Sequence, residues 1–88
     1  MNSRKTEVIT KGLASHRRLY IVEMLFKKPE MSVEEIAKVA KISHKNASGH
    51  INKLTSSGLI MKRHDGNFVR HKLTKRGETI LKFLRILE

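Results

Sequence analysis

The chain has 88 residues, a formal net charge of +11, and neither cysteine nor tryptophan. A chain of this length forms one small domain over residues 1–88, and the lack of cysteine excludes disulfides and thiolate metal sites. The longest uninterrupted apolar run, residues 19–22, is far shorter than the roughly 20 residues that a membrane span needs. No signal-peptide pattern opens the chain, so we expect a cytoplasmic protein that does not enter the membrane.

Apolar spacing predicts two helices in the N-terminal third of the chain. The first covers residues 5–13, a weakly amphipathic segment. The second begins after Ser15, which can cap its N-terminus, and ends before Pro29, which cannot continue a helix. Its apolar side chains recur every three or four residues, so one face of this helix should enter the core.

Two further helices follow, joined by a short turn. Ser32 and Glu35 form a capping box, which predicts a helix that ends near Ala40. Ser43 caps the next helix, which ends at Gly58. Two short helices joined by a turn of three or four residues are typical of the helix–turn–helix motif.

The spacing of apolar residues then changes from the three or four of a helix to the two of a strand. Residues 59–63 and 68–73 are predicted strands around Asp65-Gly66, a dipeptide typical of tight hairpin turns. A last helix over residues 76–87 carries more apolar side chains than one packing stripe requires. The sequence therefore predicts a mainly α fold with a small β-hairpin, an α+β arrangement.

Positive charge is concentrated in one part of this pattern. Residues 36–77 carry ten Lys or Arg and a single acid, Asp65, which gives a local charge of +9. The helix that starts after Ser43 has no acid on its outward surface. A helix that is merely soluble usually mixes both signs, whereas a helix against phosphates avoids acids. The pattern therefore favours contact with nucleic acid.

The order of elements and several short motifs resemble the winged helix–turn–helix regulators of the ArsR/MarR type. The motifs occupy residues 16–22, 32–37, 43–54, 57–60 and 73–77. The resemblance extends from about Lys11 to Leu87. It implies a winged helix–turn–helix with an additional C-terminal helix, and a dimeric DNA-binding transcriptional regulator.

Two residues depart from the pattern of that family. Lys41 lies in the turn, where such proteins often place glycine. A left-handed backbone at a residue other than glycine costs about 1 kcal/mol, so we expect an adjusted turn. Gly49 lies where these regulators usually carry a long polar side chain on the recognition helix, and this removes one contact to a base or phosphate.

The recognition helix, residues 43–57, is expected in the major groove, and the hairpin, residues 59–73, on the backbone or minor groove. The candidate residues for binding double-stranded DNA are His44, Lys45, Asn46, Ser48, Gly49, Asn52, Lys53, Lys62, Arg63, Asn67 and Arg70. Asparagine can read an adenine edge, lysine can reach guanine acceptors or phosphate, and serine can bond phosphate.

Surplus apolar surface near both ends of the chain predicts a homodimer. The candidate interface residues are Val8, Ile9, Leu13, Ile80, Phe83, Leu84 and Leu87. A domain of this size that left such side chains exposed would be sticky, so we expect a second copy to cover residues 5–13 and 76–87.

Five histidines raise the question of a metal site. No two of them stand four residues apart on a predicted helix, no cysteine or carboxylate cluster accompanies them, and the residue sets of the family's metal sensors are missing. His71 falls on the inward face of its strand and should be a half-buried side chain with a hydrogen-bond partner. No catalytic set, phosphate-binding loop or ligand domain is evident, so we expect no enzyme activity, metal, cofactor or small-molecule ligand.

The favoured interpretation is a sequence-specific regulator, a repressor, that binds duplex DNA as a homodimer. Two alternatives stay open. One is a winged-helix protein-interaction module in which Leu59, Ile60, Phe68 and the last helix dock a partner, although such a module does not need a charge of +9 over residues 36–77. The other is an RNA-binding winged helix, which competition between duplex DNA and duplex RNA would separate.

Overall fold

The computed structural model describes Arg4 and residues 15–87. Its elements are α1 His16–Lys27, α2 Val33–Ala40, α3 His44–Ser56, β1 Ile60–Asp65, β2 Phe68–Leu73 and α4 Lys75–Ile86. This confirms the predicted fold class, a mainly α fold with a small hairpin and a C-terminal helix. The predicted helix over residues 5–13, with Val8, Ile9 and Leu13, lies outside the described residues.

Each of these helices begins at a hydroxyl side chain that caps it. The side chains of Ser15, Ser32, Ser43 and Thr74 each accept a hydrogen bond from the backbone N–H three residues on. At α2 the Glu35 carboxylate also accepts from the Ser32 N–H at 3.1 Å, which completes the predicted capping box. A cap of this kind stabilises a helix by about 1 kcal/mol, so the helix starts follow directly from local sequence.

The turn between α2 and α3 keeps a left-handed backbone at Lys41, with φ 57° and ψ 45°. The expectation of an adjusted turn was therefore wrong. The Lys41 N–H donates to the Lys38 carbonyl at 3.3 Å, and the Ile42 N–H donates to the Ala37 carbonyl at 3.1 Å. These bonds satisfy carbonyls at the C-terminus of α2 and offset the cost of about 1 kcal/mol for a left-handed residue other than glycine.

The core lies between the first three helices and the base of the hairpin, and α4 covers one side of it. Its largest fully buried apolar side chains are Ile21, Val22, Leu25, Met31, Ile36, Ile51, Leu54, Leu59 and Ile60. Helix α4 adds Leu81 and packs closely at Gly77, where a Cβ atom would overlap the Leu59 carbonyl oxygen. Because Ile51 and Leu54 enter this core, their side of α3 faces inward.

Strands β1 and β2 pair antiparallel, in a register that places Asp65 opposite Phe68. Gly66 in the turn between them has φ 61°, the positive value that the Asp-Gly dipeptide predicted. Met31 pairs with His71 as an isolated bridge, and the His71 N–H donates to the Met31 carbonyl at 2.9 Å. The hairpin from β1 to β2, called the wing below, is thus attached at its base to the segment between α1 and α2.

His71 is more deeply buried than expected, since its side chain is only 1% exposed. Its Nδ1–H donates to the Met31 carbonyl at 2.8 Å, so the prediction of a hydrogen-bonded side chain is confirmed. Burial lowers the pKa of His71, and the bond to Met31 opposes this only in part. The neutral imidazole is therefore the form that fits the folded wing base.

Candidate nucleic-acid interface

Helix α3 presents to solvent the face opposite its core contacts. Ala47, Ile51 and Leu54 are at most 1% exposed and define its inward side. Its exposed residues are His44, Lys45, Asn46, Gly49, Asn52, Lys53 and Ser56. The helix contains no acid, so this outward face is neutral or positive along its whole length. Six of the seven predicted DNA-binding residues on α3 are exposed, and the seventh, Ser48, is half-buried. His44 is exposed because it begins the helix, although it lies on the same side as Ala47 and Ile51.

Gly49 lies in the middle of this outward face. It stands one turn after Lys45 and one turn before Lys53, since four residues separate each pair. A Cβ atom built at Gly49 would have no heavy atom within 4 Å. Glycine inside a helix is less stable than alanine by about 0.5–1 kcal/mol. Within the described residues, packing therefore gives no reason for this glycine.

His50 connects α3 to α1. The Arg18 Nε–H donates to His50 Nδ1 at 3.3 Å. Burial lowers the pKa of His50, and the positive charges of Arg18 and Arg17 lower it further. A neutral imidazole that accepts at Nδ1 carries its proton on Nε2. Sequence reasoning missed this contact because it joins residues 32 positions apart, and no local pattern indicates such a pair.

The wing carries the remaining predicted DNA-binding residues. Lys62, Arg63 and Asn67 are exposed, and Arg70 is half-buried. Near the wing tip, a groove of about 230 Å³ is lined by residues from the start of α2, by His44 from α3, and by Asn67 from the wing. The fold thus brings the start of the recognition helix and the wing tip to one concave surface.

Both wing arginines pair with carboxylates. Arg63 Nη2 lies 3.2 Å from Glu30 Oε2, and Arg70 Nε lies 3.0 Å from Asp65 Oδ2. Arg70 Nη1 also donates to the Glu30 carbonyl at 3.2 Å. The Glu30–Arg63 pair is well exposed, with side-chain exposures of 35% and 51%. Exposed pairs stabilise by about 0–1 kcal/mol, so a phosphate group can compete for these arginines.

The predicted interface residues on α4 fall into two sets. Ile80 and Leu84 are half-buried, and Ile80 packs against the protein's own core. Phe83 is 58% exposed and Leu87 is 66% exposed. Ile86, 79% exposed, extends the same apolar surface although it was not among the predicted interface residues. An apolar surface thus remains uncovered at the C-terminal end of α4.

The residues required by the protein-interaction alternative are not all accessible. Leu59 is 0% exposed and Ile60 is 2% exposed, so both belong to the core. Of the three hairpin residues in that alternative, only Phe68, which is 57% exposed, could dock a partner. The alternation of apolar and polar residues could not settle which side chains pack, because this depends on how α4 and α1 meet the hairpin.

The part of the chain that the structure describes lacks two other kinds of feature. There, no three His, Cys, Asp or Glu side chains form a group that could hold a metal ion. Within the same residues, no helix combines the length and the apolar character needed to cross a bilayer.

A capped helix, a tight turn and an acid-free outward helix beside a basic hairpin define a winged helix–turn–helix DNA-binding protein. The sequence model described as bacterial regulatory protein, arsR family, matches residues 15–62. The chain belongs to this family and is a DNA-binding transcriptional regulator. The predicted resemblance to the ArsR/MarR type is thus confirmed, and the family is one of regulators rather than enzymes.

Solved structures of similar proteins agree with this assignment. A homodimeric winged helix–turn–helix DNA-binding domain from Mycobacterium bovis is 25% identical with a TM-score of 0.88, over 96% of this chain and 78% of that one. HlyU from Vibrio cholerae is 31% identical with a TM-score of 0.84, over 98% and 94% of the two chains. FabT from Streptococcus pneumoniae, solved in complex with DNA, is 18% identical with a TM-score of 0.76. The match covers 83% of this chain and 53% of FabT, and it shows a shared fold alone. Among curated proteins, no sequence matches the chain.

Proposed function

We propose that this regulator binds specific double-stranded DNA sites as a homodimer, in the cytoplasm of a bacterium, and represses transcription by occupying them. Each α3 lies in a major groove, and each wing lies on the backbone or in the minor groove. The observation that carries the proposal is the outward face of α3, which is exposed, free of acids and centred opposite the core. A small dimer that represses by occupying a DNA site needs no protein surface other than the one that binds DNA.

The side chains on that face have the chemistry for reading duplex DNA. Asn46 and Asn52 can make paired hydrogen bonds to an adenine edge in the major groove. Lys45 can reach guanine acceptors or a phosphate, whereas Lys53 and Ser48 contact phosphates. Base contacts give sequence preference, and phosphate contacts give affinity that falls with salt.

The wing adds contacts to the DNA backbone. Lys62 and Asn67 are exposed and reach a phosphate directly. Arg63 and Arg70 exchange their carboxylate partners for phosphates, because surface ion pairs of this kind are weak. The groove lined by His44 and Asn67 shows that the start of α3 and the wing tip lie close together, although Glu34 also lines it.

The second copy of the chain is proposed to cover the apolar surface of α4. Phe83 and Leu87 are its central residues, with Ile86 beside them. A chain of this length buries only about 60–65% of its unfolded surface, so this extra burial stabilises the dimer. The M. bovis domain of the same fold is homodimeric. A two-fold dimer places its half-sites about 34–36 Å apart, or a multiple of this distance.

Selection of bound duplexes from a random library, read by sequencing, tests the proposal. We expect enriched sequences with two related half-sites in inverted orientation, spaced by about one helical turn. Binding that falls with salt but enriches no sequence would contradict specific recognition. Stronger binding to duplex RNA than to duplex DNA in competition would instead support the RNA-binding alternative.

A further inference from the structure

The centre of the proposed DNA-facing surface carries no side chain. We infer that Gly49 is the point of closest approach between α3 and DNA, where any side chain would hold the helix out of the groove. This inference rests on the proposed function and names the residue that sets how deeply α3 enters.

The position of Gly49 on the helix is the first support. With 3.6 residues per turn, Gly49 lies opposite the buried side formed by Ala47, Ile51 and Leu54. A surface that packs against α3 from outside therefore meets Gly49 first. At Gly49 no Cβ atom stands between the helix axis and a partner that packs against this face.

Two glycines lie inside the helices that the structure describes, and packing requires only one of them. Gly77 in α4 is buried, and a Cβ atom there would overlap the Leu59 carbonyl oxygen, so packing requires it. Gly49 is exposed and has open space around the position of a Cβ atom. Its backbone also makes no demand for glycine, because the glycines with positive φ are Gly58 and Gly66. Within the described residues alanine would fit at Gly49, which leaves an external partner as the reason for glycine.

The residues around Gly49 show what close approach achieves. Asn46 and Asn52 stand three residues before and three residues after it, on either side of the central line of the face. An asparagine side chain is short, so it reaches a base edge only when the backbone that carries it lies near the groove floor. Lys45 and Lys53 are long and tolerate a range of distances. A side chain at Gly49 would therefore weaken DNA binding by the asparagines before it weakened binding by the lysines.

A different explanation is that Gly49 only marks the absence of a DNA-binding side chain. The two explanations predict opposite results. If the glycine merely fails to bind DNA, Gly49→Ala should leave affinity unchanged and Gly49→Gln should raise it. If it permits close approach, both substitutions should weaken binding.

The experiment measures fluorescence anisotropy of a labelled duplex selected by the wild-type protein, together with thermal unfolding. We expect Gly49→Ala to raise Tm by about 2–8 °C, because alanine favours the helix. The same variant should bind at least about tenfold more weakly, since each dimer carries the change twice and the asparagines no longer reach the base edges. Gly49→Gln should bind more weakly than Gly49→Ala. A more stable variant that binds less tightly cannot owe its weaker binding to unfolding.

Thr79→Ala is the matched control, because Thr79 is an exposed residue inside α4, outside the proposed DNA-facing surface of α3 and the wing. This variant should keep wild-type affinity. Wild-type or tighter binding by Gly49→Ala, when Asn46→Ala binds more weakly, would overturn the close approach and leave the proposed function intact. Full affinity in both Gly49→Ala and Asn46→Ala would overturn the close approach and the proposed function together.

Discussion

Lys41 and Glu30 both hold a left-handed backbone, at φ 57° and φ 69°, although neither is glycine. Each such residue costs about 1–2 kcal/mol. At Lys41 the cost is offset by the two bonds that close α2, and at Glu30 by a bond from its N–H to the His71 carbonyl at 2.8 Å. His71 itself is buried in a neutral form. The hydrogen bonds around Lys41 and Glu30 therefore stabilise a strained backbone, and the contacts around His71 stabilise a buried polar side chain.

The strain at Lys41 can be measured by substitution. Lys41→Gly should raise the free energy of unfolding by about 1 kcal/mol, because glycine adopts a left-handed backbone without a Cβ clash. Chemical denaturation with urea gives this value. Lys38→Gly is the control, since Lys38 is an exposed residue in the last turn of α2 and its replacement should lower stability by about 0.5–1 kcal/mol. A decrease in stability in Lys41→Gly would contradict the assignment of strain to this turn.

The burial of His71 predicts how stability depends on pH. Its pKa lies below the ordinary value of 6.5 in the folded protein, so the unfolded chain takes up a proton first as pH falls. The stabilising contribution of the neutral ring is complete above pH 6.5 and disappears as pH falls towards the folded pKa. Tm should therefore decrease between pH 7.5 and pH 5.5, with a contribution of the same sign from His50.

His71→Asn tests this assignment, because the asparagine amide can still donate to the Met31 carbonyl while it does not titrate. The variant should show a weaker dependence of Tm on pH than the wild type. His64→Asn changes an exposed wing histidine and should keep the wild-type dependence. An unchanged pH dependence in His71→Asn would rule out His71 as its main source.

At the scale of elements, local sequence predicted most of the fold. Hydroxyl caps and apolar spacing identified α1, α2 and α3, and the Asp-Gly dipeptide identified the hairpin turn, because each depends on neighbours a few residues away. Long-range contacts were not predictable in this way. Arg63 meets Glu30 from 33 positions away, and the burial of Leu59 and Ile60 depends on how several elements assemble. The chemistry of the candidate site could therefore be predicted, but not the ion pairs that hold the wing.

The Glu30 carboxylate, which pairs with Arg63 of the wing, should limit affinity for DNA. Glu30→Gln frees Arg63 from its ion pair, so we expect tighter binding and a salt dependence steeper by about one unit for each additional phosphate bound. Binding to one duplex at several salt concentrations measures both. Glu23→Gln on α1 makes the same change in net charge away from the wing, and it should alter affinity less. Weaker binding by Glu30→Gln would mean that the pair holds the wing in place for DNA rather than competing with it.

At the scale of the whole molecule, the chain has two surfaces with opposite character. One is the basic face of α3 and the wing, and the other is the apolar end of α4. Phe26 lies close to this end, with the Arg85 guanidinium 4.8 Å from its ring centroid. A small domain with one charged and one apolar surface is suited to self-association through the second while the first stays available.

Dimerisation is tested by placing a charge in that apolar surface. Phe83→Glu should yield a monomer or an unstable chain, because burial of an unpaired charge costs several kcal/mol. Sedimentation equilibrium measures the mass of each species. Lys82→Glu introduces a carboxylate at an exposed neighbouring position on α4 and should remain dimeric. A wild-type monomer at tens of micromolar would contradict the dimer and the expectation of inverted half-sites.

The most direct test of the whole account is DNA binding by a Lys45/Asn46/Asn52 triple alanine variant. These three side chains share the exposed, acid-free face of α3. With folding confirmed by circular dichroism, we expect binding to weaken by at least about 1–3 kcal/mol and the preference for the selected site to disappear. The salt dependence should also be shallower by about one unit for each phosphate that the variant no longer binds. Wild-type affinity, site preference and salt dependence in the folded variant would show that α3 does not enter the groove.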